Sequence, residues 1–225
     1  MRLLPSTAAA LLVTLSAGSA AAQLHWDTGA AVGVQKRFLA SGAADAGFGP
    51  TAQLQAHVAL LPLVRVGGYL GYEISPLDGD RAARDMFGGG LRVKIMSPWP
   101  RGDVRLWLFV GFGLQAMYAR SYRTTVLAEV TPGNPAGGVA PREALVGGSG
   151  GRFLEVPFGI GVSYKFRKPF ELFGELGSRV GFAGSGSAYD LGPSLSVAGR
   201  PDTNAPVAGQ DRFSLGLSLG LLIDL

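Results

Sequence analysis

The strict alternation at the end of the chain constrains the fold more than any other feature of the sequence. From Phe213 to Leu225 every second residue is apolar, and the residues between them are mostly serine and glycine. This pattern predicts a β-strand with two unlike faces, because successive side chains of a strand point to opposite sides. A helix would need a period of about 3.6 residues and would be destabilised by the glycines.

Seven further runs upstream show the same alternation. The eight predicted strands are 26–38, 51–60, 64–74, 87–95, 104–118, 153–166, 170–182 and 213–225. In strand 104–118 one face is clearly apolar, but Trp107 and Phe109 lie opposite it in the alternation. The sequence leaves open whether these rings fill the barrel interior beside glycines or a bulge reverses their facing. The even number of strands predicts an all-β fold, an eight-stranded antiparallel up-and-down β-barrel, and the strands are long enough for a transmembrane β-barrel. Alternation alone does not separate a membrane barrel from a soluble one, because both have one apolar face.

The first 22 residues have the layout of a secretory signal peptide. Arg2 supplies a positive charge, 8–15 form a short apolar run, and three alanines at 20–22 offer small residues for cleavage. The apolar run is too short to cross a hydrocarbon core of about 30 Å as a helix. We therefore expect 1–22 to be a cleaved signal peptide and 23–225 to form the barrel domain.

Side-chain volume and linker length together predict which face of the barrel is outside. An eight-stranded barrel is only wide enough inside for side chains, which suits the Gly- and Ser-rich polar faces better than the rows of Leu, Phe and Val. Linkers 61–63 and 167–169 are short, whereas 119–152 and 183–212 are long and rich in Gly and Pro. Short periplasmic turns and long external loops are typical of outer-membrane barrels. These features favour a membrane barrel over a soluble ligand-binding barrel.

The composition excludes several other classes of protein. The chain is 47% hydrophobic, 16% charged and contains 35 glycines, which is unlike a disordered chain. Its 20 basic residues are scattered among 16 acidic residues, so no basic patch indicates nucleic-acid binding. Because cysteine is absent, the chain has neither a disulfide nor a thiolate metal site.

In its alternating strands, its number of strands and its alternation of long and short linkers, the chain resembles the small eight-stranded outer-membrane proteins of the OmpA/OmpX type over 23–225. The resemblance implies a location in the outer membrane of a Gram-negative bacterium. It also implies contact with outer-membrane lipid and lipopolysaccharide, and insertion by the barrel-assembly machinery. Because it rests on architecture, it transfers no functional residues.

The polar strand faces carry charged residues that we expect to meet inside the barrel. This predicted interior network consists of Asp27, Arg37, Arg65, Glu73, Arg92, Lys94, Arg105, Glu155, Glu171, Glu175, Arg179 and Asp224, together with Lys165. Buried charges persist only when they are paired and hydrogen-bonded. The network therefore predicts a salt-bridge plug, and a charged lumen that passes small solutes is the alternative.

Aromatic residues near the strand ends suit the two interfacial girdles of a membrane barrel. They are Trp26, Phe38, Phe87, Trp99, Phe153, Tyr164, Phe166, Phe170, Phe182 and Phe213.

The sequence supports no catalytic, metal or cofactor site. His25 follows the cleavage site, and His57 lies on a polar strand face without a Ser–His–acid motif. We expect His57 to be an interior hydrogen-bonding residue. The predicted function is a non-enzymatic outer-membrane barrel with a structural or surface-binding role, in which loops 119–152 and 183–212 face an unknown external ligand. A narrow channel is the second hypothesis and a membrane-embedded lipid-modifying enzyme the third.

Overall fold

The chain folds into a closed barrel of long antiparallel strands. The structure, a computed structural model, describes residues 25–39, 47–77, 82–98, 102–129, 139–190, 207–208 and 211–224. Its strands are β1 Trp26–Leu39, β2 Phe48–Leu61, β3 Val64–Leu77, β4 Ala82–Met96, β5 Val104–Ala119, β6 Tyr122–Glu129, β7 Val139–Gly148, β8 Gly150–Arg167, β9 Phe170–Asp190, β10 Val207–Ala208 and β11 Asp211–Asp224. The predicted signal peptide and Trp99 lie outside the described residues. No described segment is a helix with the length and apolarity needed to cross a membrane.

Eight of the described strands form the barrel wall. β1 to β5, β8, β9 and β11 follow one another around the sheet, each antiparallel to its neighbours. β11 closes the barrel because it pairs with β1 on one side and with β9 on the other. Closure gives each wall strand two hydrogen-bonded neighbours, which is what a strand needs to cross a bilayer. The predicted eight-stranded antiparallel barrel is therefore confirmed.

The two ends of the barrel differ in their connections. Two-residue turns at 62–63 and 168–169 join wall strands at one end, which we call the periplasmic end. At the opposite, extracellular end the predicted strand limits were wrong. β2, β4 and β8 begin at Phe48, Ala82 and Gly150, rather than at 51, 87 and 153. Near that end the strands no longer alternate apolar and polar residues, so the sequence pattern stops before the hydrogen bonding does.

The two long linkers contain strands that the sequence pattern did not show. Within 119–152, β6 and β7 form a hairpin paired from Tyr122–Val146 to Glu129–Val139. β9 runs on to Asp190 instead of ending at 182, and both β7 and β10 pair with this extension. We call the backbone of β6, β7, β10 and the end of β9 the extracellular ledge.

The apolar strand faces point outwards. On β5, Leu106, Leu108, Val110, Phe112 and Leu114 have exposed fractions between 47% and 57%. Exposed Leu, Ile, Val or Phe side chains occur on every wall strand. A soluble monomer does not expose an apolar belt of this extent. The belt therefore faces lipid, which excludes the soluble-barrel alternative.

The two aromatic residues of uncertain orientation point inwards. Trp107 and Phe109 are 3% and 6% exposed. A Cβ atom at Gly161 would lie 2.2 Å from the Trp107 ring, and one at Gly159 would lie 2.8 Å from the Phe109 ring. These glycines therefore provide the space that the two rings occupy. With Ala31, Phe173 and Leu222 the rings form a small apolar cluster inside the barrel.

Most predicted girdle residues face outwards at the strand ends, but Phe153 does not. Its ring is buried inside the barrel near Gly181, so its assignment to the girdle was wrong. Phe153 shares its strand face with the interior residue Glu155, so the alternation of β8 turns its ring away from lipid. Exposed girdle rings at the two ends of the wall are Trp26, Phe38, Phe87, Tyr164, Phe166 and Phe182.

Candidate functional site: the interior ion network

Charged side chains converge inside the barrel at three levels, which we call the upper, middle and lower layers from the extracellular to the periplasmic end. The structure places all twelve residues of the predicted network, and Lys165, in these layers. It adds Arg84 and Asp211, which the sequence analysis assigned to linkers. Each layer is held by wall strands whose inward positions alternate with lipid-facing ones.

The upper layer consists of Arg37, Glu73, Arg84 and Asp211, all fully buried. Arg37 donates two hydrogen bonds to the Glu73 carboxylate, from Nε at 2.8 Å and from Nη2 at 2.7 Å. Its Nη1 donates to Asp211 Oδ2 at 2.7 Å. Arg84 Nη2 donates to the other oxygen of Asp211 at 2.9 Å and to Ser75 Oγ at 3.0 Å. Two arginines and two carboxylates thus form a neutral cluster just below the extracellular end.

Arg92 is the centre of the middle layer. Its Nη1 donates to Glu175 Oε2 at 2.9 Å and to Gln55 Oε1 at 3.2 Å. The guanidinium carbon lies 4.2 Å from the centroid of the Phe109 ring and 5.1 Å from that of Tyr69. The two rings stabilise the cation through their π-systems, so the charge is compensated by a carboxylate, an amide and two aromatic faces.

A second ion pair completes the middle layer. Arg179 Nη1 donates to Glu155 Oε1 at 2.7 Å, and Tyr69 Oη donates to the same oxygen at 3.0 Å. Beside these groups lies a cavity of about 40 Å³ lined by Gln35, Gln53, Arg92, Phe109 and Glu175, among others. This volume holds only a few water molecules.

In the lower layer, Asp27 is bound by three basic groups. Arg65 Nη1 lies 2.5 Å from Asp27 Oδ2, and His57 Nδ1 lies 3.0 Å from Oδ1. Lys94 Nζ approaches Oδ1 at 3.8 Å. His57 lies inside the barrel and hydrogen-bonds to a neighbouring strand, in agreement with the role expected for it.

A second cluster extends the lower layer to the periplasmic mouth. Arg105 bridges Glu171 Oε1 at 3.2 Å and Asp224 Oδ2 at 3.1 Å, and Lys165 approaches both carboxylates at 3.7–3.9 Å. Arg105 and Lys165 are 29% and 21% exposed, whereas Arg37 and Arg84 in the upper layer are 1% and 0% exposed. Among the described side chains, those at the periplasmic end are therefore open to water, whereas those of the upper layer are shielded from it.

The interior charges nearly balance. Among the described side chains, the three layers hold eight arginine or lysine side chains and seven carboxylates, and every one of them belongs to an ion pair. Two members of the network, Arg84 and Asp211, were not predicted from the sequence, for different reasons. Arg84 shares its strand face with Arg92 and Lys94, so extending β4 towards the N-terminus would have found it. Asp211 lies beyond an irregularity in the β1–β11 register between Phe38 and Leu39, which shifts its facing.

The geometry offers no reactive centre of a familiar kind in the described part of the chain. No group of three or more His, Asp or Glu residues there is arranged to hold a metal ion. The His57 ring is completely buried and pairs with Asp27, so a substrate at the membrane edge does not reach it. What the arrangement does chemically is hold opposite charges together in a water-poor space.

Comparison with known proteins identifies the fold. No protein-family model and no curated protein matches the chain. Neisserial surface protein A (NspA) gives a TM-score of 0.51 at 11% identity, covering 90% of this chain and 97% of that chain. A major outer membrane protein from Thermus thermophilus gives 0.53 at 15% identity, covering 90% and 100%. The outer membrane protease OmpT from Escherichia coli gives only 0.34, too low to support an argument about chemistry.

The chain therefore has the fold of the small outer-membrane β-barrels. This confirms the resemblance stated from the sequence, and the predicted outer-membrane location agrees with the fold.

Proposed function

We propose that this chain is a non-enzymatic, non-conducting outer-membrane barrel of a Gram-negative bacterium that acts through its extracellular surface. The upper layer is the observation that carries the proposal. Its four charged side chains pair across the barrel from β1, β3, β4 and β11, and solvent does not reach them. A plug of this kind makes the wall rigid and leaves the external strands as the part of the molecule available to partners.

The energy needed to open the plug supports a sealed barrel. Separating one partner of a buried ion pair costs about 3–5 kcal/mol, and an ion crossing the upper layer would have to separate Arg37 from both Glu73 and Asp211. The cavity of about 40 Å³ in the middle layer holds only a few water molecules. Among the described residues, the partly exposed lower layer favours the narrow-channel alternative, because water enters there.

Single-channel recording tests the proposal directly. The barrel is purified in detergent from outer membranes, checked for folding by its heat-dependent gel mobility, and added to a planar bilayer in which a general porin serves as positive control. We expect no discrete conductance steps. Reproducible steps from the unmodified barrel would contradict the plug and establish the channel instead.

The extracellular ledge supports a role at the surface. β9 has 21 residues and continues beyond the barrel wall, where the β6–β7 hairpin and β10 join it. Paired strands give this region a defined backbone, which loops of the same length would lack. A binding partner would therefore meet a preorganised surface, which reduces the entropy lost on association.

A further inference from the structure

The wall strands β5 and β8 continue beyond the barrel as one hairpin with β6 and β7. The last pair of the β5–β8 ladder is Tyr118–Gly150, and the first pair of the β6–β7 ladder is Tyr122–Val146. The step between these pairs is four residues on both arms, so β6 prolongs β5 without a change of register. Because β5 runs from the periplasmic to the extracellular end, β6 continues outwards, away from the membrane.

One edge of β6 has no partner strand in the described part of the chain. β6 pairs with β7 on one side and is the last strand in the order of the sheet. On the other side, β4 accompanies β5 as far as Arg120, whose backbone N–H donates to the Ala83 carbonyl oxygen at 2.9 Å. The eight residues of β6 extend beyond that point over about 26 Å of strand. A row of unpaired backbone N–H and C=O groups is a template for another strand.

The sequence of the hairpin favours β6 over β7 as the edge that accepts another strand. β7 contains Pro141, which is paired with Leu127 of β6 and has no N–H to donate to a strand on its other side. β6 contains neither proline nor glycine. Its central residues, Thr124, Thr125 and Val126, are of the β-branched type that is enriched in strands.

The charged residues of β6 make this edge self-complementary. Arg123 and Glu129 each lie three residues from Val126. When two copies of β6 pair antiparallel about Val126, Arg123 of each copy stands opposite Glu129 of the other. Opposite charges directly across an antiparallel pair are stabilising, and like charges are destabilising. Shifting the register by one or two residues removes both charge pairs, so the charges select one alignment.

We propose that β6 pairs antiparallel with β6 of a second copy of this chain in a facing membrane, and thereby joins two cells. The direction of β6 determines the facing arrangement. Two copies in one membrane both direct β6 outwards and do not align antiparallel, whereas copies in facing membranes direct β6 towards each other. The inference rests on the proposed surface role and names its partner, but it does not depend on the interior plug.

Clustering of vesicles tests this pairing. The barrel is purified from outer membranes and reconstituted into phosphatidylcholine vesicles without lipopolysaccharide, and dynamic light scattering follows the size of the vesicles. We expect the unmodified barrel to cluster the vesicles, and a variant in which an Asn-Gly turn replaces 122–146 to leave them separate. Arg123→Glu and Glu129→Arg each place like charges opposite one another in both pairs. Each should weaken clustering about tenfold.

Mixing the two charge reversals makes the test specific to the proposed register. Vesicles with Arg123→Glu and vesicles with Glu129→Arg have opposite charges in both pairs when they meet, so the mixture should cluster about as well as the unmodified barrel. The double variant should cluster with itself and not with the unmodified barrel. The matched control is Arg212→Glu, which reverses the charge of an exposed residue of β11 at the same end and should leave clustering unchanged. Heat-dependent gel mobility shows that each variant is folded.

Three results would overturn the pairing. They are unmodified vesicles that stay separate, equal clustering with and without the hairpin, and a mixture of the two charge reversals that clusters no better than each alone. Any of these results together with a silent planar-bilayer recording would remove the pairing and leave the plug. Conductance steps together with charge-dependent clustering would remove the plug and leave the pairing.

Discussion

Replacing Arg37 by Met should destabilise the barrel more than any exposed substitution on the same strand. The change removes three charge-assisted hydrogen bonds and leaves the fully buried Glu73 without its partner, while Asp211 keeps only Arg84. Breaking a buried ion pair from one side costs about 3–5 kcal/mol. We expect Arg37→Met to lower the free energy of unfolding by that amount, measured by urea titration of the barrel in lipid vesicles.

Two further variants make this experiment decisive. Lys36→Met alters the adjacent residue, which faces outwards, and should change the free energy of unfolding by about 1 kcal/mol or less. The double variant Arg37→Met with Glu73→Met should lose less than the sum of the two single changes, because no charge is then left without a partner. If Arg37→Met cost less than about 1 kcal/mol, or no more than Lys36→Met, the upper layer would not be a plug.

Three other predictions concern the wall and the ledge. Gly161→Ala places a Cβ 2.2 Å from the Trp107 ring and should lower the free energy of unfolding by about 1–3 kcal/mol in the same titration. The control Gly71→Ala, whose Cβ would have its nearest contact at 3.7 Å, should not destabilise the barrel. Equal effects of the two changes would contradict the packing of Trp107. Val110→Arg, in the middle of the belt, should cost about 2–4 kcal/mol, and a loss near zero would mean that this face does not meet lipid. Replacing 122–146 by an Asn-Gly turn should leave folding and heat-dependent gel mobility unchanged, because the β6–β7 hairpin pairs mainly with itself. Loss of folding would show that the barrel needs this hairpin.

The interior aromatic rings explain why glycines occur on the charged strand faces. The rings of Trp107, Phe109 and Phe173 fill the spaces at Gly161, Gly159 and Gly220, since a Cβ at these three positions would lie within 3 Å of a ring atom. Large aromatic residues therefore lie opposite glycines across the narrow interior, as close packing requires. Cations of the ion pairs pack directly against these rings, Arg92 over Phe109 and Lys94 over Trp107.

The sequence by itself determined the architecture. Alternation over eight runs specified the strands, their two faces and the barrel they close, because a period of two assigns every side chain to one face or the other. The twelve charges on the polar faces could be named for the same reason. Composition and linker length indicated which face meets lipid, and the exposed belt on all wall strands agrees.

The tertiary structure alone decided which groups meet. Alternation places Arg37 inside, but only the register around the closed barrel brings it to Glu73 on β3 and Asp211 on β11. The inward facing of Trp107 depends on Gly161 of β8, a residue distant in sequence. Periodicity within one strand carries no information about its neighbours' stagger or about a register irregularity, and those two quantities determine the ion pairs and the shape of the interior.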